Sequence, residues 1–178
     1  MPQRVHSGGH CRACIDVLEQ ERKFKIAGIV EKAGASTGPV LGYPVLGTDD
    51  DLPQLFEEFQ FALVTVGQIK SSEPRKDLYE QLRKLNFTLP TVISPRAYVS
   101  PHAKLGLGTI IMHHAMVNAG VKIGENCILN SKSLVEHDVL VGDYCHISTG
   151  SIINGKVRVG NESFIGSGSV VREGIKIG

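Results

Sequence analysis

Tryptophan is absent, and aromatic residues make up only 6% of the chain, too few for the stacking platforms of single-stranded nucleic-acid binders. No charge of one sign predominates. The formal net charge of +1 argues neither for nucleic acid nor for an anionic membrane as partner, and neither is expected. No apolar run approaches the ~18 residues of a membrane span. The opening Met1-Pro2-Gln3-Arg4-Val5 also lacks an apolar core of signal-peptide type, so a cytoplasmic location is expected. Cysteine is sparse as well: Cys11, Cys14, Cys127 and Cys145. In a reducing compartment these are not expected to form structural disulfides. Cys11 and Cys14 make a C-x-x-C, but no thioredoxin-like context accompanies it, and two cysteines cannot complete a zinc site. The pair is read as structural.

What is present is a repeat. From Val99 to Ile177 every sixth residue is aliphatic, and Gly106, Gly124, Gly142, Gly160 and Gly178 lie 18 apart. Hexapeptide periodicity of this kind is the signature of a parallel β-helix with three short strands per coil. Three further columns keep one size class: Thr109, Cys127, Cys145, Ser163; Val121, Val139, Val157, Ile175; and Ala115, Ser133, Ser151, Ser169. Stacking at ~4.8 Å demands such uniformity, and each buried repeat aliphatic contributes ~1.5–3 kcal/mol before entropy is subtracted. Residues 99–170 complete four coils and the last eight begin a fifth. A solenoid ordinarily ends in a cap, so the natural chain is expected to continue past Gly178.

The first half alternates strand-like and helix-like segments, as in an open α/β sheet. The predicted strands are a short Arg4-Val5-His6, then Phe24–Val30, Phe61–Val66 and Leu89–Ile93. The predicted helices are Cys11–Arg22, Leu52–Phe59 after the acidic Asp49-Asp50-Asp51, and Lys76–Leu85. Ser7-Gly8-Gly9-His10 is a Gly-rich turn ahead of a helix, a place where backbone N–H groups often hold phosphate, although it is not a full G-x-G-x-x-G.

Several motifs together carry a resemblance. They are Ser7-Gly8-Gly9-His10, Asp16-Val17-Leu18, Gly42 to Gly47 with Asp49-Asp50, Val66-Gly67 followed by Arg75, Ile93-Ser94-Pro95, and a hexapeptide repeat containing Val135-Glu136-His137-Asp138. In these the chain resembles the NeuD/PglD-type sugar acetyltransferases over essentially its whole length. That family includes bacillosamine-pathway and perosamine N-acetyltransferases and sialic-acid O-acetyltransferases. The resemblance implies a Rossmann-like α/β sugar-nucleotide domain at 1–94 and a left-handed parallel β-helix at 95–178. It also implies acetyl-CoA as donor, a homotrimer, and a cleft between neighbouring subunits. The chain departs from the family pattern where His6 and Cys11 replace glycines, and where Glu31-Lys32 stands in place of an acidic pair.

His137 lies off the inward position between two acids, and a carboxylate beside an imidazole orients it and raises its basicity. The resemblance implies His137 as general base with Asp138 as its partner. It implies that His146 contacts the acetyl donor and that the Gly155 N–H faces the thioester carbonyl, where a donor would stabilise the oxyanion. It assigns Gly9, His10, Glu31 and Asn130 to the acceptor pocket. His102, His113 and His114 are read as surface residues, and no metal is expected. The implied reaction is direct transfer of acetyl to a sugar amine, with N-acetylation of a nucleotide-linked 4-amino sugar in bacterial glycan biosynthesis as the first reading. O-acetylation of a sialic- or legionaminic-type acid is the second. Two readings from other classes stay open: a γ-carbonic-anhydrase-like zinc enzyme, although no His-x4-His occurs, and a non-catalytic scaffold.

Overall fold

The computed structural model describes residues 8–35 and 38–178. The expected strand at Arg4-Val5-His6 lies outside them. Helix α1 (Gly9–Glu21) buries Cys11, Cys14, Ile15 and Val17 along one face, the i, i+3, i+4 pattern of an amphipathic helix. It starts earlier than the sequence suggests, so Gly9 and His10 form its first turn rather than a loop. It stops at Arg22, whose backbone is left-handed and whose N–H returns to the Leu18 carbonyl at 3.1 Å.

Strands β1 (Ile29–Glu31) and β2 (Val45–Thr48) pair in parallel. The strand expected over Phe24–Val30 is thus regular only near its end, and β2, hidden between Pro44 and the acidic run, was not foreseen. Thr48 and Asp51 form a capping box ahead of α2 (Leu52–Leu55), which is shorter than expected and ends before Phe59. The segment Phe61–Val66 makes one bridge, from Phe61 to Thr88, instead of a full strand. Helix α3 (Glu73–Lys84) begins three residues before Lys76, with Pro74 in its first turn, where proline costs no hydrogen bond.

From Val92 onward the chain winds through three five-stranded parallel sheets, each coil giving one two-residue strand to each sheet. The first coil strand is β3 (Val92–Ile93), paired with Ile110 and Ile111. The expectation that Leu89–Ile93 closes the N-terminal sheet is therefore corrected. Its apolar pattern is that of a coil strand, and the coil supplies the parallel neighbour.

The repeat aliphatics fill the coil interior, those of the end coils partly buried, together with the fully buried Val121, Val139, Val157, Cys127 and Cys145. The two stacked thiols stay free and donate to carbonyls of the next turn, Cys127 to Gly142 at 3.1 Å and Cys145 to Gly160 at 3.0 Å. Most turns between strands need one left-handed residue, supplied by glycine or by residues such as Asn126, Asp138 and Lys156. The 18-residue glycine period has a steric cause. A Cβ on Gly124 would stand 2.7 Å from the Gly142 carbonyl carbon, and one on Gly142 would stand 2.7 Å from the Asn161 nitrogen.

The outward side chains make the three faces different. On the first face Val92, Ile110 and Ile128 are sealed beneath Cys14 and Val17 of α1. The second presents Tyr98, Met116, Leu134, Ile152 and Val170 in register, all partly or fully exposed. The third presents Lys104, Lys122, Leu140, Arg158 and Lys176.

Helix α3 ties the two halves together. Arg75, fully buried, donates to the carbonyls of Val64 (2.6 Å), Val66 (3.0 Å) and Asn126 (3.2 Å). Tyr79 and Arg83 reach Glu125, and Ser72 and Lys76 reach Glu162. An apolar cavity of about 600 Å³ lies within the α/β half, lined by residues such as Ile15, Ile26, Leu63 and Phe87. No candidate site residue lines it. No helix among the described residues is long and apolar enough to cross a membrane.

Candidate active site

His137 and Asp138 occupy the turn between the second and third faces. Asp138 takes the left-handed position, φ 61°, which turns its carboxylate back onto the preceding ring, and Asp138 Oδ2 lies 3.1 Å from His137 Nδ1. The carboxylate accepts from Nδ1–H, so the Nε2 lone pair is left facing outward. Both side chains are more than half exposed, 54% and 60%. Glu136, the other flanking acid, is occupied by Asn118, which donates to it at 2.8 Å.

Small residues enclose the pair. Gly155, one coil on, lies against the imidazole, and a Cβ there would stand 2.7 Å from Nε2. Gly120, one coil back, leaves room for Asp138 Oδ1. The Gly155 carbonyl accepts from Gly174 N–H at 2.9 Å, while its own N–H has no acceptor among the described residues. A base with a free lone pair thus sits beside a free backbone donor, the two elements that acyl transfer needs.

A second cluster occupies the opposite edge of the second face. Asn130 Nδ2 lies 3.2 Å from His146 Nε2, and His146 Nδ1 bonds to the Gln68 carbonyl. Both ring nitrogens of His146 are therefore used within the chain, and the ring is 5% exposed. His10 packs nearby, its Nε2 3.5 Å from Cys14 Sγ. Burial lowers its pKa to about 3, helped by the charges of Arg75 and His146, so the ring is neutral at neutral pH. Burial also lowers the His146 pKa; the Gln68 bond opposes this and Arg75 adds to it.

Gly9 opens to solvent in the first turn of α1, with nothing near a Cβ placed there. Glu31 is 2% exposed, and neither carboxylate oxygen has a partner among the described residues. Lys32 beside it is exposed. The structure thus gathers His137, Asp138 and Gly155 at one edge and His10, Asn130 and His146 at another, while the Glu31 charge is felt at Cys11, the residue after His10.

Several residues escaped the sequence reading. His113 is not a free surface residue: it bonds Asp16 of α1 at 2.8 Å and Ser94 Oγ at 2.6 Å, which holds the Asp16 carboxyl below its ordinary range. Gln68 and Arg75 organise the second cluster from the α/β half. No local signal could have shown these links, because their partners are remote in sequence. Gly120 was within reach, since an aspartate one coil on needs the space. Among the described residues no three His, Cys, Asp or Glu side chains could hold a metal ion.

A β-helix of hexapeptide coils behind an α/β unit, with an exposed histidine at a coil corner, defines the hexapeptide acyltransferase class. The family model of the PglD N-terminal domain matches residues 6–82, and that of the bacterial transferase hexapeptide matches 120–155. The acetyltransferase domain of PglB from Neisseria gonorrhoeae, solved with acetyl coenzyme A, is 32% identical with a TM-score of 0.86, over 96% of this chain and 80% of that one. A histidine-to-asparagine mutant of perosamine N-acetyltransferase from Caulobacter crescentus, solved with CoA and GDP-perosamine, is 28% identical with a TM-score of 0.81, over 96% and 87%. WeeI from Acinetobacter baumannii, 21% identical with a TM-score of 0.70 over 96% and 91%, shares the fold. No curated protein matches the chain. The chain belongs to the NeuD/PglD-type sugar acetyltransferase family, and its coil is the left-handed β-helix of that family.

Proposed function

We propose that this protein transfers acetyl from acetyl-CoA to the amine of a nucleotide-linked 4-amino sugar, an N-acetylation step in bacterial glycan biosynthesis. The observation that carries the reading is His137, whose Nδ1 is backed by Asp138 at 3.1 Å and whose Nε2, unbonded among the described residues, is set against Gly155. His137 takes the proton of the attacking amine at Nε2, and Asp138 stabilises the imidazolium that results. The Gly155 N–H stabilises the oxyanion on the acetyl carbon, and CoA leaves as thiolate. No covalent enzyme intermediate is needed. The relatives support this choice of substrates, since one was solved with acetyl coenzyme A and another with CoA and GDP-perosamine. Gly9, His10, Glu31 and Asn130 would hold the acceptor; the buried Glu31 carboxylate, without a partner among the described residues, would accept from N–H or O–H donors of the nucleotide.

We further infer a homotrimer working in the cytoplasm. The apolar second face supports self-association, since five outward apolar side chains in one register are costly to leave in water. Covering that face with a second copy would also bring together across one cleft the two clusters that a single chain holds on opposite edges. The test is release of CoA thiol from acetyl-CoA with a panel of UDP- and GDP-linked 4-amino sugars. His137→Ala is expected to lower kcat by ~10²–10⁴-fold and to leave the melting temperature unchanged, because the ring is more than half exposed. Turnover that survives the substitution would overturn the mechanism, and no turnover of any sugar by the intact protein would overturn the function.

A further inference from the structure

We propose that His146 is a positioning residue: anchored on the Gln68 backbone, it holds the Asn130 amide in one orientation toward the acceptor. This rests on the acetyltransferase reading and gives His146 a task other than touching the acetyl donor.

The hydrogen-bond chain admits one assignment of protons. The Gln68 carbonyl can only accept, so His146 Nδ1 carries the hydrogen. Nε2 is then a lone pair, and the Asn130 atom 3.2 Å from it must be the donor Nδ2. Asn130 Oδ1 accepts from Ser131 N–H at 2.8 Å. Turning the amide over would set Oδ1 against the imidazole lone pair and Nδ2 against the Ser131 N–H, which removes both bonds at once. Asn130 is left with one N–H and one lone pair, in fixed directions, for a ligand.

The anchor is itself held from the α/β half. Gln68 is 2% exposed and donates through Nε2 to the Tyr144 carbonyl at 2.8 Å. Two residues earlier, the Val66 carbonyl accepts from buried Arg75 at 3.0 Å. Gly67 between them passes beside His10, whose Cβ would lie 3.5 Å from a Cβ at that glycine. The acceptor-side histidine, the 66–68 segment and the Asn130 amide therefore form one mechanical unit. The His146 ring packs edge-on against Phe164, centroids 5.2 Å apart, so it cannot swing out to a ligand without leaving that contact. Burial keeps it neutral, the state that the assignment needs.

The test combines two readouts on the full chain. Nitrogen NMR of the His146 ring should show the Nδ1–H form in the intact protein and an altered Nε2 shift in Asn130→Ala. An Nε2–H form would overturn the proposal, with or without turnover. In kinetics with acetyl-CoA and a 4-amino sugar that the protein turns over, His146→Ala and Asn130→Ala should each raise the acceptor KM about tenfold. The KM for acetyl-CoA should stay within about twofold, and the double variant should be no worse than either single one. A tenfold rise confined to the acetyl-CoA KM would make His146 a donor contact, and additive losses would separate the two residues. Should His146→Ala fail to fold, His146→Phe keeps the ring against Phe164 and removes both nitrogens.

Discussion

At the scale of single residues, the site is shaped as much by missing side chains as by present ones. His137 keeps its place because Gly155 has no Cβ to displace it, and Asp138 because Gly120 has none. Gly155 is not at a left-handed position, so alanine there is strained only through its contact with the ring. On the proposed mechanism, Gly155→Ala should therefore shift the imidazole and lower kcat by roughly 10–100-fold, the usual penalty for misplacing a catalytic group by about an ångström. Its melting temperature should change little. Unchanged kcat in steady-state assays would show that the ring has room to adapt. The cysteines of the C-x-x-C are settled at the same scale. Burial raises the Cys11 pKa and pushes the Cys14 thiol up to about 12, so both are protonated packing groups at neutral pH.

At the scale of elements, α1 joins α3 in docking the α/β half onto the coil. It presents Cys14 and Val17 to the first face of the coil, Asp16 to His113, and His10 to the neighbourhood of Arg75 and His146. His10 carries a pH dependence with a definite sign. Its pKa is near 6.5 in the unfolded chain and about 3 when folded, so the unfolded state binds the proton first as acid is added. The stability contributed by the neutral ring is full above about pH 6.5 and is lost as pH falls toward 3. By pH 5 the loss is about 1–2 kcal/mol, allowing for the part of the residue that still meets solvent. Urea titrations at pH 7 and pH 5 should show His10→Asn losing less stability than the parent protein over that interval. Equal losses would place the acid sensitivity elsewhere.

At the scale of the whole molecule, the three faces of one coil have three fates. The first is sealed by α1, the third is cationic, and the second is apolar and uncovered in a single chain. If self-association uses the second face, Ile152→Glu should shift the protein from trimer to monomer in light scattering after gel filtration. It should also remove most activity, because a charge buried at an apolar interface is costly. Lys122→Glu, on the third face, should leave the assembly intact. A trimer that persists in Ile152→Glu would exclude this face as the interface.

What the amino-acid sequence determined by itself is what nearest neighbours encode. The coil was legible because burial recurs every sixth residue, and because each level of the stack repeats the one before it, as the Val121, Val139 and Val157 column shows. His137 and Asp138 were legible as a pair because they are adjacent, and a left-handed residue between coil strands turns the carboxylate onto the ring. In the α/β half, short apolar runs left strand ends and partners ambiguous: β2 was missed, and Val92–Ile93 proved to belong to the coil. Tertiary structure alone decided the links from His146 to Gln68, Arg75 to Asn126, and His113 to Asp16. Each joins groups at least fifty residues apart whose meeting depends on how α1, α3 and the 66–68 segment dock on the coil. Docking of that kind follows from shape and burial summed over both halves, and no local spacing in the chain records it.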